Sequence, residues 1–340
     1  MSETTPPRVL IFGTGSMGAV YGWILSQASP KPDITAICRS NYDAALRDGF
    51  TLNSTIWGNG LLARPRIVRT VAEAVCQAGS QPFDYILVTV KALPMTPSAA
   101  ELIRPAITPA KTAVVLIQNG IGIEDEYARL YAGDDVAILS TVAYLPATRT
   151  SPTEVSHREI EHLLVGTFPA TGVPQTHKDA ARKFVDMVQS GGGTATLYDD
   201  VQPQRWGKLL INGSWNPVCA LVRLRDRQFM NLTDGEDADN EAYQFIRDLM
   251  LEIASIAQAC GYTEINENMV QHHMERLLRR PGDGLQPSML ADTLEGRELE
   301  VDAIVGNAVR IANEKKVPVP MLRTVYILAK GLSSSLCLAK

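Results

Sequence analysis

Two groups of residues in this chain have the types and spacing to do chemistry. The first is Gly13-Thr14-Gly15-Ser16-Met17-Gly18, between the apolar run Arg8–Phe12 and a helical pattern. This is G-x-G-x-x-G where a strand passes into a helix start. Gly13 permits the tight turn, Gly15 lets the backbone approach a pyrophosphate, and Gly18 lets the helix pack close to the strand. Free N–H groups and the positive end of the helix dipole then face phosphates, so the loop reads as a dinucleotide site. The next expected strand ends Ile37-Cys38-Arg39-Ser40-Asn41. An acid there would bind the ribose 2′-OH of NAD. No acid is present, and Arg39 can pair with a 2′-phosphate, which favours NADP. The alternative is that Arg39 is a solvated charge at a strand end.

The second group begins with Lys208, Asn212 and Asn216 in the run Trp206-Gly207-Lys208-Leu209-Leu210-Ile211-Asn212-Gly213-Ser214-Trp215-Asn216-Pro217. The spacing i, i+4, i+8 puts all three on one face of a helix that otherwise looks buried. Buried polar groups without partners are costly. Either these three satisfy one another and nearby backbone, or they line a ligand cleft. Further on stand Ser288, readable as a helix N-cap, and Glu300 among Leu299, Val301, Ile304 and Val305. By composition alone Glu300 reads as a surface carboxylate. The adjacent His272-His273 pair lies in a charged stretch and reads as solvated surface, so no metal site is expected.

The elements that must position these groups fall into two halves. Strand patterns cover Arg8–Phe12, Asp33–Cys38, Asp84–Thr89 and Ala113–Ile117, each nearly continuous in apolar character, as for parallel strands buried on both faces. Helix patterns such as Gly18–Ala28 and Val71–Ala78 lie between them, which argues for a doubly wound parallel sheet. Val136–Tyr144, Glu159–Val165 and Thr194–Leu197 are later strands, and Pro146–His157 reads as a loop or hairpin. Beyond Asp199–Gln204 only helices are expected: Trp206–Val222, Asp237–Cys260, Glu264–Arg279, Arg297–Lys315 and Met321–Leu332. In the second of these, Phe245, Leu249, Ile253, Ile256 and Ala257 form an apolar stripe, and Gly261 ends the helix. The expected domains are residues 1–200, binding NADP, and residues 201–340, carrying substrate and catalysis.

Composition sets outer limits. The 340 residues are 45% hydrophobic and 20% charged, which excludes a mostly disordered chain. A net charge of −5 gives no global reason to expect nucleic acid or an anionic membrane as partner. No apolar run reaches the ~20 residues of a membrane helix. Five scattered cysteines without a CxxC argue against a disulfide framework or zinc site and for a reducing compartment. The N-terminal MSETTPPRVL lacks the basic start and apolar stretch of a signal peptide, so a cytoplasmic protein is expected.

Taken together, the motifs resemble the ketopantoate reductase (2-dehydropantoate 2-reductase) family over nearly the whole chain. The resemblance rests on the glycine loop, Arg39, Val88-Thr89-Val90-Lys91, Ile117-Gln118-Asn119-Gly120-Ile121-Gly122, the Lys208/Asn212/Asn216 helix, and Ser288-Met289-Leu290 followed by Glu300. It implies an α/β Rossmann-type N-terminal domain followed by an all-α C-terminal domain like that of 6-phosphogluconate dehydrogenase. It also implies NADPH as cofactor and reduction of a 2-oxo acid to the (R)-2-hydroxy acid in an interdomain cleft. By motif, Lys208 matches the family's catalytic lysine and Glu300 its essential carboxylate. Asn212, Asn216 and Ser288 match substrate contacts. Lys91 and Asn119 match residues near the nicotinamide end of the cofactor, Asn119 also touching substrate. The first substrate to expect is then 2-dehydropantoate, reduced to (R)-pantoate in pantothenate and coenzyme A biosynthesis.

The chain also departs from the family. Many members carry a further substrate-contacting asparagine where this one has Asp226, inside Arg223-Leu224-Arg225-Asp226-Arg227. An acid near the pocket mouth would disfavour an anionic substrate unless the arginines neutralise it. Extra residues lie around Pro146–His157 and Val270–Gly284. Two alternatives therefore stand beside the first reading. One is an NADPH-dependent reductase of another 2-oxo acid, carbonyl or imine. The other is a non-catalytic NADP-binding sensor, against which the retained polar set argues. A homodimer through the exposed faces of the long helices is possible on this pattern.

Overall fold

The computed structural model describes residues 5–233 and 240–338. The chain divides into two compact units. The first runs up to Lys91 and takes in Met95–Gln118 and Glu124–Val201. The second takes Ala92–Pro94, Asn119–Ile123 and the described chain from Gln202 onward.

The first unit is built on an eight-stranded sheet. In chain order the strands of this unit are β1 Arg8–Phe12, β2 Asp33–Ile37, β3 Phe50–Ser54, β4 Gly58–Ala63, β5 Arg66–Val68, β6 Tyr85–Val88, β7 Ala113–Leu116, β8 Ala137–Tyr144, β9 Ala147–Arg149, β10 Glu154–His157, β11 His162–Phe168 and β12 Ala195–Leu197. The large sheet has the order β12-β11-β8-β7-β6-β1-β2-β5. Val9, Leu10, Ile86, Leu87, Val114 and Val115 are shut from solvent at its centre, which is why these strands read as unbroken apolar runs. The sheet is mixed rather than wholly parallel, because β11 returns antiparallel to β8 through the β9–β10 hairpin. The strand expected at Glu159–Val165 starts later, at His162, because Glu159 has a positive φ (+69°) and turns the chain.

A second sheet, β4-β3-β10-β9, is absent from the sequence reading. Its strands are short and carry Asn, Ser and Gly; β3 and β10 alternate buried with half-buried positions and β4 is mostly exposed, so no apolar run announces them. The helices of this unit are α1 Ser16–Ser26, α2 Tyr42–Asp48, α3 Val71–Ala78, α4 Ala99–Ile103, α5 Glu124–Leu130 and α6 Gln175–Ser190. The small sheet packs on α1 through β3, β4, β9 and β10.

The second unit is helical. It contains α7 Gln202–Val222, α8 Asp226–Met230, α9 Glu241–Ala259, α10 Glu267–Leu278, α11 Ser288–Leu294, α12 Asn307–Lys315 and α13 Pro320–Leu338. Helix α7 packs against α9, α11 and α13. Leu249, Ile253, Ile256 and Ala257 of α9 are buried, as their spacing predicts, while Phe245 is half-buried. The expected start of that helix at Asp237 lies outside the described residues; Asn240 caps α9 by accepting from the Tyr243 amide at 2.8 Å. The helix expected over Arg297–Lys315 is shorter. Residues 297–300 are irregular, a π-helical turn covers Asp302–Gly306, and α12 follows. No described helix is long and apolar enough to cross a membrane.

Candidate active site

The glycine loop sits where β1 enters α1. Gly13 has φ +105°, and a Cβ on it would lie 2.5 Å from Val90 Cγ1 and 2.8 Å from the Val90 amide. A Cβ on Gly18 would lie 2.1 Å from the Gly13 carbonyl oxygen. Both positions therefore demand glycine. Gly15, the residue preceding α1, has nothing within 4 Å of a built Cβ, so the loop is open at the point where a pyrophosphate would approach. Thr14 turns its hydroxyl inward, donating to the Ile37 carbonyl at 3.1 Å, and so braces the loop against β2. Ser16 and Met17 are half-buried in the first turn of α1, which holds no acidic side chain. These features fit a dinucleotide phosphate group on an observation of the backbone itself.

Arg39 is exposed just past β2, and among the described residues no carboxylate pairs with it. A second cation, missed in the sequence, lies nearby. Register pairs Ile37 with Val68, so Arg69 emerges beside Cys38 and Arg39. Its guanidinium lies 3.7 Å from the Tyr42 ring centroid and 2.8 Å from an Asp43 oxygen. Lys91 is half-buried after β6.

The polar face of α7 lies in the helical unit. Trp206, Leu209, Leu210 and Trp215 anchor the helix in the core, leaving Lys208 and Asn212 half-buried and Asn216 buried. Lys208 Nζ donates to Asn119 Oδ1 at 2.9 Å, a contact between residues 89 apart in sequence. Burial, then the neighbouring Arg205 cation, push the Lys208 pKa down to about 8, while the Glu300 carboxylate opposes them. Glu300 is 9% exposed, against the composition-only reading of a surface carboxylate. It accepts the Ala92 amide at 2.8 Å and lies two residues before the π-helical turn. Such turns often occur at functional positions.

The Asn119-Gly120-Ile121 turn is held from several sides. Gly120 has φ +105°, and a Cβ there would meet the Ala303 carbonyl oxygen at 2.3 Å. The Ile121 amide donates to that same oxygen at 3.0 Å, and Asn307 Nδ2 donates to the Ile121 carbonyl at 2.8 Å. Arg205 Nη1 donates to the Gly120 carbonyl at 2.8 Å. Arg205 and Asn307 escaped the sequence reading; an arginine near a helix start and an asparagine inside a helix carry no sign of such contacts.

Asn216 Nδ2 reaches Ser288 Oγ at 3.4 Å, forming a second polar pair. Ser288 is exposed and is the first residue of α11; Pro287, not Ser288, occupies the N-cap position. Among the described residues the Asn212 amide makes no side-chain hydrogen bond, so it remains available to a ligand. The structure thus brings Lys208, Asn119 and Glu300 together and pairs Asn216 with Ser288.

Asp226 is not a bare acid at a pocket mouth. Its side chain is 1% exposed and ion-paired with Arg280. Its Oδ1 also accepts the Arg227 amide at 2.7 Å and the Leu285 amide at 2.8 Å. It fastens the loop that leads into Ser288. His273 also differs from the surface reading. It is half-buried, and burial first, with Arg276 and His272 nearby, pushes its pKa down to about 4. Among the described residues no group of three or more His, Cys, Asp or Glu could hold a metal ion.

Comparison with known proteins gives a consistent result. A family model described as Ketopantoate reductase PanE/ApbA matches residues 9–170. One described as Ketopantoate reductase PanE/ApbA C terminal matches residues 200–333. The chain is 28% identical to an uncharacterised protein of Saccharomyces cerevisiae, covering 94% of this chain and 92% of that one. It is also 28% identical to 2-dehydropantoate 2-reductase from Methylococcus capsulatus, whose crystal structure matches with a TM-score of 0.79 over 97% of each chain. D-mandelate dehydrogenase, solved with NADH and anilino(oxo)acetate, matches with a TM-score of 0.78 over 97% of this chain and 99% of that one. At 21% identity it bears on the fold alone.

Proposed function

This chain belongs to the ketopantoate reductase family, oxidoreductases that act on CH–OH groups with a nicotinamide cofactor, and we propose that it reduces a 2-oxo acid to the (R)-2-hydroxy acid with NADPH. The first candidate substrate is 2-dehydropantoate, which would place the reaction in pantothenate biosynthesis. In this reading residues 1–200 bind the cofactor and residues 201–340 carry substrate and catalysis.

The observation that carries the reading is the Lys208 ammonium, held by Asn119 in a partly desolvated setting with its pKa near 8. When bound, the cofactor supplies a hydride to the ketone carbon. Negative charge then grows on the ketone oxygen, and a positioned cation stabilises it and donates a proton. At neutral pH Lys208 is mostly charged, yet more acidic than an ordinary lysine. Asn119 keeps Nζ in place, and Glu300 opposes premature loss of its proton. Asn212, Asn216 and Ser288 supply neutral donors for the substrate's carboxylate and neighbouring oxygens. The glycine loop cradles the pyrophosphate, Lys91 and Asn119 serve the nicotinamide end, and Arg39 takes the 2′-phosphate.

Asp226 favours a second reading, in which the same chemistry acts on a different 2-oxo acid. Its carboxylate is committed to Arg280 and Leu285, so it does not offer the amide contact that many family members have there.

The test follows loss of nicotinamide absorbance with 2-dehydropantoate, simpler branched 2-oxo acids, and ketones lacking a carboxylate. The expected result is turnover of a 2-oxo acid with NADPH preferred over NADH. Arg39→Ala should weaken NADPH binding roughly tenfold, the worth of one charge-assisted contact, and leave NADH binding unchanged. Turnover confined to ketones without a carboxylate would overturn the substrate class. Equal use of both cofactors by the wild type would overturn the NADP assignment.

A further inference from the structure

Arg205 has no assigned role toward substrate or cofactor above, yet it is 3% exposed. Arginines are seldom so deeply buried unless something specific holds them. Its guanidinium donates to the Gly120 carbonyl at 2.8 Å. Gly120 follows Asn119, whose side chain receives Lys208. Arg205 also precedes Lys208 by three residues on α7, so the two side chains are neighbours on one helix face. The same guanidinium therefore acts on both ends of the Lys208–Asn119 contact, on one by a backbone hydrogen bond and on the other by charge.

We propose that Arg205 is a positioning residue of the reductase site: it pins the Asn119–Gly120 turn that receives the Lys208 ammonium, and as a second buried cation it makes Lys208 a readier proton donor. The inference rests on the reading of Lys208 as proton donor. Two buried cations on adjacent turns repel, so the system gains when one of them gives up its proton. Arginine stays charged in proteins, so Lys208 is the one that yields. Glu300 acts in the opposite sense from the segment before the π-helical turn. From α10, His273 faces the Gly207 backbone, and with a pKa near 4 it is neutral through the range in which Lys208 titrates. On top of burial, which lowers the Lys208 pKa most, Arg205 and Glu300 thus act as an opposed pair on the acidity of one lysine.

The test is the pH dependence of kcat/KM for reduction, with Arg205→Gln and Arg205→Lys. Glutamine keeps an N–H donor for the Gly120 carbonyl and removes the charge; lysine keeps the charge. Reduction needs Lys208 protonated, so the wild-type rate falls above its pKa. In Arg205→Gln that fall should move up by about one pH unit, with kcat at neutral pH lowered several-fold. In Arg205→Lys it should stay at the wild-type position. Arg205→His, neutral at alkaline pH, should repeat the upward move if the glutamine variant is unstable. NADPH affinity by fluorescence titration should be unchanged in all three. If the neutral variants keep the wild-type profile, or if lysine moves it as far as glutamine, the charge role is overturned. If Lys208→Ala retains the same alkaline fall, the Lys208 reading fails, and this inference fails with it.

Discussion

Replacing Lys208 with methionine should abolish reduction and, at neutral pH, stabilise the helical unit. Burial and Arg205 bring the Lys208 pKa from 10.5 to about 8 despite Glu300. In the unfolded chain a lysine titrates near 10.4, and each pH unit of difference corresponds to about 1.4 kcal/mol. Holding Lys208 charged therefore costs the fold at most about 3 kcal/mol, in full below pH 8. Between pH 8 and about 10.5 the folded protein has released a proton that the unfolded chain still binds, so wild-type stability rises through this window. Methionine has a similar length and no charge to desolvate. Against that, Asn119 Oδ1 loses its lysine donor, at a cost of about 1–2 kcal/mol. The net gain is about 1–2 kcal/mol at pH 7, and it turns into a deficit near pH 10. Urea unfolding at both pH values, followed by the fluorescence of Trp206 and Trp215 in the helical core, measures it. A variant less stable than wild type at pH 7, or a gain that grows with pH, would refute the claim that Lys208 is held charged against a burial penalty.

Two further substitutions probe the supports of the site. Gly120→Ala must place a Cβ at positive φ against the Ala303 carbonyl, and should cost at least about 2 kcal/mol in thermal or urea unfolding. Arg39-dependent cofactor choice should survive it in whatever fraction remains folded. Asp226→Ala strips Arg280 and the Leu285 amide of their shared acceptor and should cost about 3 kcal/mol. Because that carboxylate fastens the loop before Ser288, the substrate KM should rise while NADPH affinity holds. A stability and KM both equal to wild type would remove Asp226 from any supporting role.

Legibility in the sequence followed locality. The runs around Val9–Phe12, Ile86–Val88 and Val114–Leu116 are apolar throughout because both faces of the large sheet are covered, so they could be read directly. The small sheet could not, since β3 and β10 pair across about a hundred residues and carry ordinary surface-like alternation. The glycine loop was legible because Gly13 and Gly18 answer local steric demands and Gly15 leaves the loop open between them. The spacing of Lys208, Asn212 and Asn216 was legible as one helix face, but not what that face meets. Asn119 comes from a turn 89 residues earlier. Asp226 was legible in part for the same reason: neutralisation by an arginine was an open alternative, but the partner is Arg280, 54 residues on, and not one of the arginines beside it in sequence. Glu300 was misread by composition because its irregular backbone breaks the helical pattern that would have shown which way it faces.

The division of labour follows from where these supports lie. Asn119, Gly120 and Ala92 group with the helical unit, not with the sheet unit whose strands they follow. The groups that hold Lys208 and Glu300 are therefore fixed by contacts inside one body, from Ala303, Asn307 and Arg205. A helix selected only for stability would carry aliphatic side chains in place of Lys208 and Asn216, since buried charge and amide groups cost more than they return. Their presence beside Trp206, Leu209 and Leu210 fits the chemistry proposed for that face. In the proposed reading cofactor choice, by contrast, rests on Arg39, just past β2 in the other unit. Changes to α7, α8 or the loop before Ser288 can then alter which 2-oxo acid is accepted without altering which nicotinamide is used.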